Sequence, residues 1–376
     1  MVCSSLPSAP PSHRALGAFL PALVVMCAGC AEFTGPEAFP WETTAHLVFV
    51  SDRGGEVDGS GAALSDLYRT TTDGAVVQRL SDVPARIYRR ISLAPGGTRL
   101  VLESDREFGC PNIWVMDTDA TDPLALTQGG VERCNELPRW SPDGSYVAFT
   151  SSRNPGEWGW SAWAIHPDGT GLVHLSGNSA SVERTDLVHG WTPDGRAVFH
   201  GWESGAVTTF AALPGGTGPT PLFTVPGDET PFWSPSGQKL AFVTHRDGNA
   251  EIYLADGDGS NLLNLSVNAA EDLLPAEGGA PSPWSPDGAR LAFMSGRDGS
   301  VQIHVVDVGT GEVERITEGP NVPTFGGWSP DGEWIAFSAG PVGERDVYVV
   351  QADGSMTVNV TAHPADDRSP VWIGGR

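Results

Sequence analysis

One five-residue spelling constrains this chain more than anything else in it. Trp-Ser-Pro-Asp-Gly stands at 140–144, 284–288 and 328–332, with Trp-Thr-Pro-Asp-Gly at 191–195, Trp-Ser-Pro-Ser-Gly at 233–237 and a looser form, Ile-Ser-Leu-Ala-Pro-Gly-Gly, at 91–97. A few residues after each comes an apolar triplet: Leu100-Val101-Leu102, Val147-Ala148-Phe149, Ala197-Val198-Phe199, Leu240-Ala241-Phe242, Leu291-Ala292-Phe293 and Ile335-Ala336-Phe337. Leu47-Val48-Phe49 begins the series and brings the copies to seven. Self-similarity at a fixed period signals an array of supersecondary units that bury their apolar faces only against one another.

Each unit continues with a third apolar run, as at 113–116, 252–254, 303–306 and 347–350, and a fourth short strand ending near Leu80, Thr127, Leu175, Phe223, Leu265, Thr317 and Thr361. Four short strands in about 40 to 50 residues describe a propeller blade. The turn chemistry accounts for the motif, because Pro presets φ at the first turn position, Asp suits the next, and Gly supplies the positive φ that returns the chain into a strand. The 47 Gly and 31 Pro of this 376-residue chain fit many such turns. Polar alternation is weak in the second and third runs, as expected for blades covered on both faces by neighbours. The expected fold is all-β: a seven-bladed β-propeller of four-stranded antiparallel blades over residues 44–374.

Blade five carries the fullest spelling, from Asp228-Glu229-Thr230-Pro231-Phe232-Trp233 through Arg246-Asp247-Gly248 and Ile252-Tyr253 to Asp256-Gly257-Asp258-Gly259. These residues resemble the TolB-like, WD-repeat-like β-propeller repeat, which implies the fold and leaves function open. Near the C-terminus, Asp367-Arg368-Ser369-Pro370-Val371-Trp372 repeats the spacing of the blade-five inner strand with no second strand after it. It is expected to complete blade one and seal the ring, which removes an open edge.

The first 29 residues read as a signal peptide. A weakly basic start at His13 and Arg14 precedes an apolar stretch at 15–29, too short to span a bilayer as a helix. It ends in Cys27-Ala28-Gly29-Cys30, which resembles the bacterial lipobox, although Cys27 stands where that family usually has Leu. The resemblance implies diacylation of Cys30, a tether over 30–43 and, with Ala31 rather than Asp next, an outer-membrane lipoprotein facing the periplasm or the surface; an ordinary signal peptide cut nearby is the alternative. Removal of 1–29 leaves 21 basic residues against 46 acids, a net charge of −25. Such a field repels nucleic acid and anionic headgroups, so membrane contact is expected through the lipid alone.

In a four-stranded blade the a–b and c–d turns share one face, and the b–c and d–a loops share the other. The longer connections, 51–66, 128–137, 153–161, 176–188 and 266–280, all fall on the second face, where function on a rigid scaffold usually resides. Cys110 and Cys134 lie in adjacent loops there, and a disulfide between them is expected in an oxidising compartment. Acids gather on the same loops: Asp52, Glu56 and Asp58, then Glu136, Asp186, Glu229, Asp272, Glu277 and Asp367. With Trp158 and Trp160, the residues Glu136, Asp186, Glu229, Glu277 and Asp367 form the expected surface for an envelope protein or a glycan.

Catalytic signatures are missing. The Asp256–Asn261 region lacks the Gly at position six and the Glu at position twelve of an EF-hand loop, and no Gly-x-Ser-x-Gly nucleophile elbow occurs. No cofactor motif is present, and no metal set can be named. The expected function is non-enzymatic binding, with a metal-dependent lyase or hydrolase using His189, His363 and rim carboxylates in the central channel as the alternative.

Overall fold

The computed structural model describes residues 46–374, apart from the stretches 82–84, 86–87, 107–109, 129–132, 154–158, 178–184, 204–205, 224–230 and 276–280. Among the described residues there is no helix, and 28 strands form seven four-stranded antiparallel sheets. The inner strands, a, are Arg368–Ile373 in blade 1, Tyr88–Leu93 in blade 2, Asn135–Trp140 in blade 3, Thr185–Trp191 in blade 4, Phe232–Trp233 in blade 5, Asp272–Leu273 in blade 6 and Thr324–Trp328 in blade 7. The C-terminal strand does join blade 1, with His46 opposite Ile373 and Leu47 opposite Trp372.

The apolar triplets form strand b, and alternation within them explains why they read as unbroken. In blade 1, Val48 and Val50 pack with Tyr88, Leu100, Leu102 and Met116 of blade 2. Val101 of blade 2 points the other way, into a cluster with Trp140, Val147 and Phe149 of blade 3. Each strand b thus supplies one side chain to the blade before and the next to the blade after. Full burial of a Val, Leu or Phe contributes about 1.5–3 kcal/mol, so the core is a series of inter-blade wedges.

The Trp-Ser-Pro-Asp-Gly motif does two jobs. At 141–146 the Gly144 N–H donates to the Ser141 carbonyl (2.9 Å), the Ser141 hydroxyl donates to Asp143 (2.7 Å), and the Tyr146 N–H donates back to that hydroxyl (2.9 Å). The pattern recurs at Ser285 and Ser329. Meanwhile the indole reaches to the preceding blade: Trp191 donates to the Arg139 carbonyl (3.0 Å), Trp284 to Phe232 (2.8 Å) and Trp328 to Pro283 (2.8 Å). Trp372 donates to Gly327 of blade 7 (3.0 Å), so the C-terminal strand holds blade 7 as blades 4, 6 and 7 hold their predecessors. Two residues past strand d stands a Ser or Thr whose hydroxyl accepts a strand-c N–H, as at Ser81, Thr127, Ser266 and Thr317.

Five inner strands carry the same irregularity. The a–b register slips at 369–370 in blade 1, 90–91 in blade 2, 137–138 in blade 3, 189 in blade 4 and 326 in blade 7. Arg90, Leu137 and Ser369 accordingly have φ of 53°, 58° and 53°. Bulges of this kind re-aim side chains.

The seam between blades 1 and 7 has little slack. A Cβ on Gly74 would lie 2.3 Å from the Val360 carbonyl oxygen, and Gly74 has φ +69°, whereas Gly55 has φ +67° with open space around it. Gly55→Ala is expected to lose about 1 kcal/mol from backbone strain alone, and Gly74→Ala clearly more, about 2–4 kcal/mol. Urea titration followed by far-UV circular dichroism checks this; equal losses would mean that the seam relaxes freely.

Candidate functional site

A Ser/Thr-x-Arg sequence closes strand b in blades 1, 2, 3, 5 and 6, and it organises the loop-rich face. In blade 1 the Arg53 guanidinium folds back over Phe49 and Tyr68 (5.0 and 5.1 Å to the ring centres) and bonds Asp367 at 2.6 Å. In blade 6, Arg297 lies over Phe293 and bonds Asp272 at 2.8 Å. In blade 3, Arg153 covers Phe149 and Trp163 and bonds the Asn135 amide oxygen at 2.9 Å. The acid or amide at the start of strand a is the anchor of an internal arginine clasp.

This changes the meaning of the predicted acidic surface. Asp186, Asp272 and Asp367 are buried, so they are not surface contacts for a partner. Asp367 meets Arg53, and burial pushes its carboxyl pKa up. Asp186 begins blade 4, where its N–H donates to the Trp160 carbonyl (2.8 Å) and Trp160 is half-buried. Glu136 is partly exposed and sits 3.3 Å from Arg89 and 3.2 Å from Arg90. Asp52 accepts the Asp366 N–H, Glu56 pairs with Arg79, and Asp58 caps its own loop. A buried carboxylate persists only when it is paired and hydrogen-bonded, and these loops meet that condition internally. Cys30, Trp158, Glu229 and Glu277 lie outside the described residues.

Cys110 and Cys134 are joined as a disulfide, with Cα atoms 4.8 Å apart. The Asn135 N–H donates to the Pro111 carbonyl beside it (2.8 Å), and Cys134 exchanges bonds with Ser152, so the loops of blades 2 and 3 are tied together just before Glu136.

What opens on the loop-rich face is an apolar cavity of about 510 Å³ at the channel mouth between blades 6, 7, 1 and 2. Leu273, Val301 and Val322 form its exposed rim, with Val322 62 % and Leu273 43 % accessible. Phe325, Leu274 and Val371 are buried in its wall. Below it a smaller cavity of about 210 Å³ continues down the channel past Trp328 and Trp372. The opposite edge of the mouth is Arg89 and Arg90, both bonded to the buried Glu103 (2.7 and 2.8 Å), whose pKa burial raises. Sequence reasoning missed these residues; the signal was the adjacent Arg89-Arg90 pair in a chain this acidic.

The candidate metal histidines stand apart from one another. His189 occupies the blade-4 bulge and packs against His200 of strand b, ring centres 4.1 Å apart, while His363 is an exposed residue of the blade 7 to blade 1 loop. Among the described residues no three His, Cys, Asp or Glu side chains gather as a metal set. Burial holds the His200 pKa down at about 4, and burial with its neighbours His200 and Arg139 holds His189 well below its ordinary value. Unfolding lets both imidazoles bind protons at pH values where the folded chain binds none, so stability falls as pH drops from about 6.5 toward about 4. His200→Leu is expected to remove about 3 kcal/mol of that dependence. Urea midpoints measured across this range check it, and an unchanged slope would count against the buried pair.

Comparison with known proteins fits this geometry. The family model described as TolB beta propeller domain matches residues 220–325. An uncharacterized protein of Agrobacterium fabrum is 30 % identical over 193 residues, covering 49 % of this chain and 46 % of that protein. The Tol-Pal system protein TolB of Alcanivorax borkumensis is 40 % identical over 73 residues, 19 % of this chain and 15 % of its own length. This chain therefore spans less than half the length of these curated relatives. Among solved structures, TolB from Acinetobacter baumannii superposes with a TM-score of 0.52 at 17 % identity, covering 88 % of this chain and 66 % of that one. A puromycin hydrolase gives 0.61 at 18 % over 80 % and 50 %, and a manganese-bound oligogalacturonate lyase 0.56 at 16 % over 84 % and 85 %. Solved structures named as TolB, as a hydrolase and as a lyase thus share the fold, and over residues 220–325 the repeat itself matches the TolB beta propeller domain.

Proposed function

We propose that this protein is a non-enzymatic envelope lipoprotein, anchored through diacylated Cys30, whose loop-rich propeller face binds a protein partner at the channel mouth. The observation that carries the reading is the open apolar cavity with Leu273, Val301 and Val322 exposed at its rim. Exposed aliphatic side chains around a concave site mark association surfaces on otherwise polar proteins. A protein suits this rim better than a glycan, since branched aliphatics offer no aromatic plane for a sugar ring to stack on. Binding is favoured over the lyase or hydrolase alternative by the donor set, because the described residues bring no three metal-ligating side chains together.

Topology supports the arrangement. Strand b of blade 1 starts at His46, paired with Ile373, at the tight-turn end of the blade, while Ser51 and Asp366 lie toward the loop-rich end. Cys30 precedes His46 by 16 residues. That separation between a lipidated Cys30 and the first strand gives the propeller a tether.

Two measurements test the reading. A photo-crosslinking residue at Val322 in intact cells is expected to capture one discrete protein, Leu273→Glu to abolish the adduct, and the same probe at Leu213 on the tight-turn face to capture none. Identical adducts from both positions, or none from Val322, would sink it. For the anchor, metabolic labelling with an alkyne fatty acid is expected to mark the wild-type chain and to disappear in Cys30→Ser; label retained in the variant would rule Cys30 out.

A further inference from the structure

The described lining of the channel mouth is chemically one-sided. In a chain with 46 acids and 22 bases, the described lining of the larger cavity contains Arg89 and Arg90 and no carboxylate. Their counter-charges are set behind them: Glu103 is fully buried, Glu136 is 24 % accessible and the Arg89 side chain 41 %. A guanidinium carries five N–H donors, and these carboxylates engage only part of the ten available. The inner-strand bulge that places Arg90 recurs in other blades, where Leu137, His189, Gly326 and Ser369 occupy it, so a cation at this level is specific to blade 2 among the five bulged strands. Across from it the wall is Leu274, Phe325 and Val371, with Val322 and Leu273 leading outward to solvent.

We infer that the mouth receives the C-terminal end of a partner polypeptide, its free carboxylate on Arg89 and Arg90 and its last apolar side chains in the cavity between blades 6 and 7. This deepens the binding reading above and rests on it. A carboxylate matches a guanidinium pair in charge and in bidentate geometry. The Glu103 bonds hold both arginines in place beforehand, which lowers the ordering needed on binding. An apolar rim that continues outside the cavity favours a chain running out across the face over a small molecule, whose site would enclose most of its surface.

The test uses the full chain in lipid nanodiscs and a fluorescein-labelled hexapeptide ending in Val-Leu, as free acid and as C-terminal amide, read by fluorescence anisotropy. The free acid is expected to bind about tenfold more tightly than the amide. That gap should close to within about twofold in Arg89→Gln with Arg90→Gln, and Val322→Trp should weaken both peptides by obstructing the rim. Since Arg90→Gln removes a partner from buried Glu103, the single variant Arg89→Gln, whose side chain is more exposed, serves if the double variant fails to fold. Equal affinity for acid and amide, absence of binding by either, or indifference to Val322→Trp overturns the inference. Hexanoate displacing the peptide at matching affinity would assign the site to small carboxylates and overturn it too. An intact Val322 adduct in cells combined with acid–amide indifference removes this inference alone; loss of the adduct with acid preference retained removes the partner reading alone.

Discussion

Two-sided burial of strand b is the constraint on which everything else here depends. A blade that is apolar on both faces cannot terminate a stack without exposing one of them, so the array must close. Closure is made by the C-terminal strand, which pairs with the first strand b and carries Trp372, whose indole N–H binds blade 7. Without that strand, blade 1 would have an open inner edge and blade 7 a carbonyl without its donor.

The arginine clasp is the second organising element. It joins the end of strand b, the aromatic side chains of strands b and c, and the first acid of strand a within a single blade. Stacking a guanidinium on aromatic rings while pairing it with a buried carboxylate satisfies both charges away from water, which neither could tolerate alone. Blades 4 and 7 lack the arginine at this position. In the blade 7 b–c loop Arg345 instead binds Asp366 of the connection to blade 1 at 2.6 Å, and blade 4 has the His189–His200 contact in its interior. Burial holds both imidazoles of that pair below their ordinary pKa.

Two of the clasps engage the loop carboxylates Asp367 and Asp272, and among the described residues the channel mouth is less acidic than the composition suggests. The exposed turn aspartates lie on the opposite face: Asp143, Asp194 and Asp287 have pKa values lowered first by the Ser or Thr hydroxyl of their own turn. The two faces thus divide the labour, one polar and built from near-identical tight turns, the other holding irregular loops around an apolar mouth edged by Arg89 and Arg90.

The repeat by itself determined the blade count, the four-strand plan and the closing strand, because period, turn spelling and apolar triplets are local features that survive in one dimension. Cys110 and Cys134 could be placed on neighbouring loops for the same reason. What only the tertiary structure decided was the destination of each polar side chain. Asp186 and Asp367 read as surface acids in sequence, yet the first is buried at the start of blade 4 and the second is buried against Arg53, a partner 314 residues away in the chain. The cavity likewise gathers side chains from blades 6, 7, 1 and 2, distant in sequence and brought together only by ring closure. No local pattern encodes such a site, because its geometry exists only once the first and last strands have met.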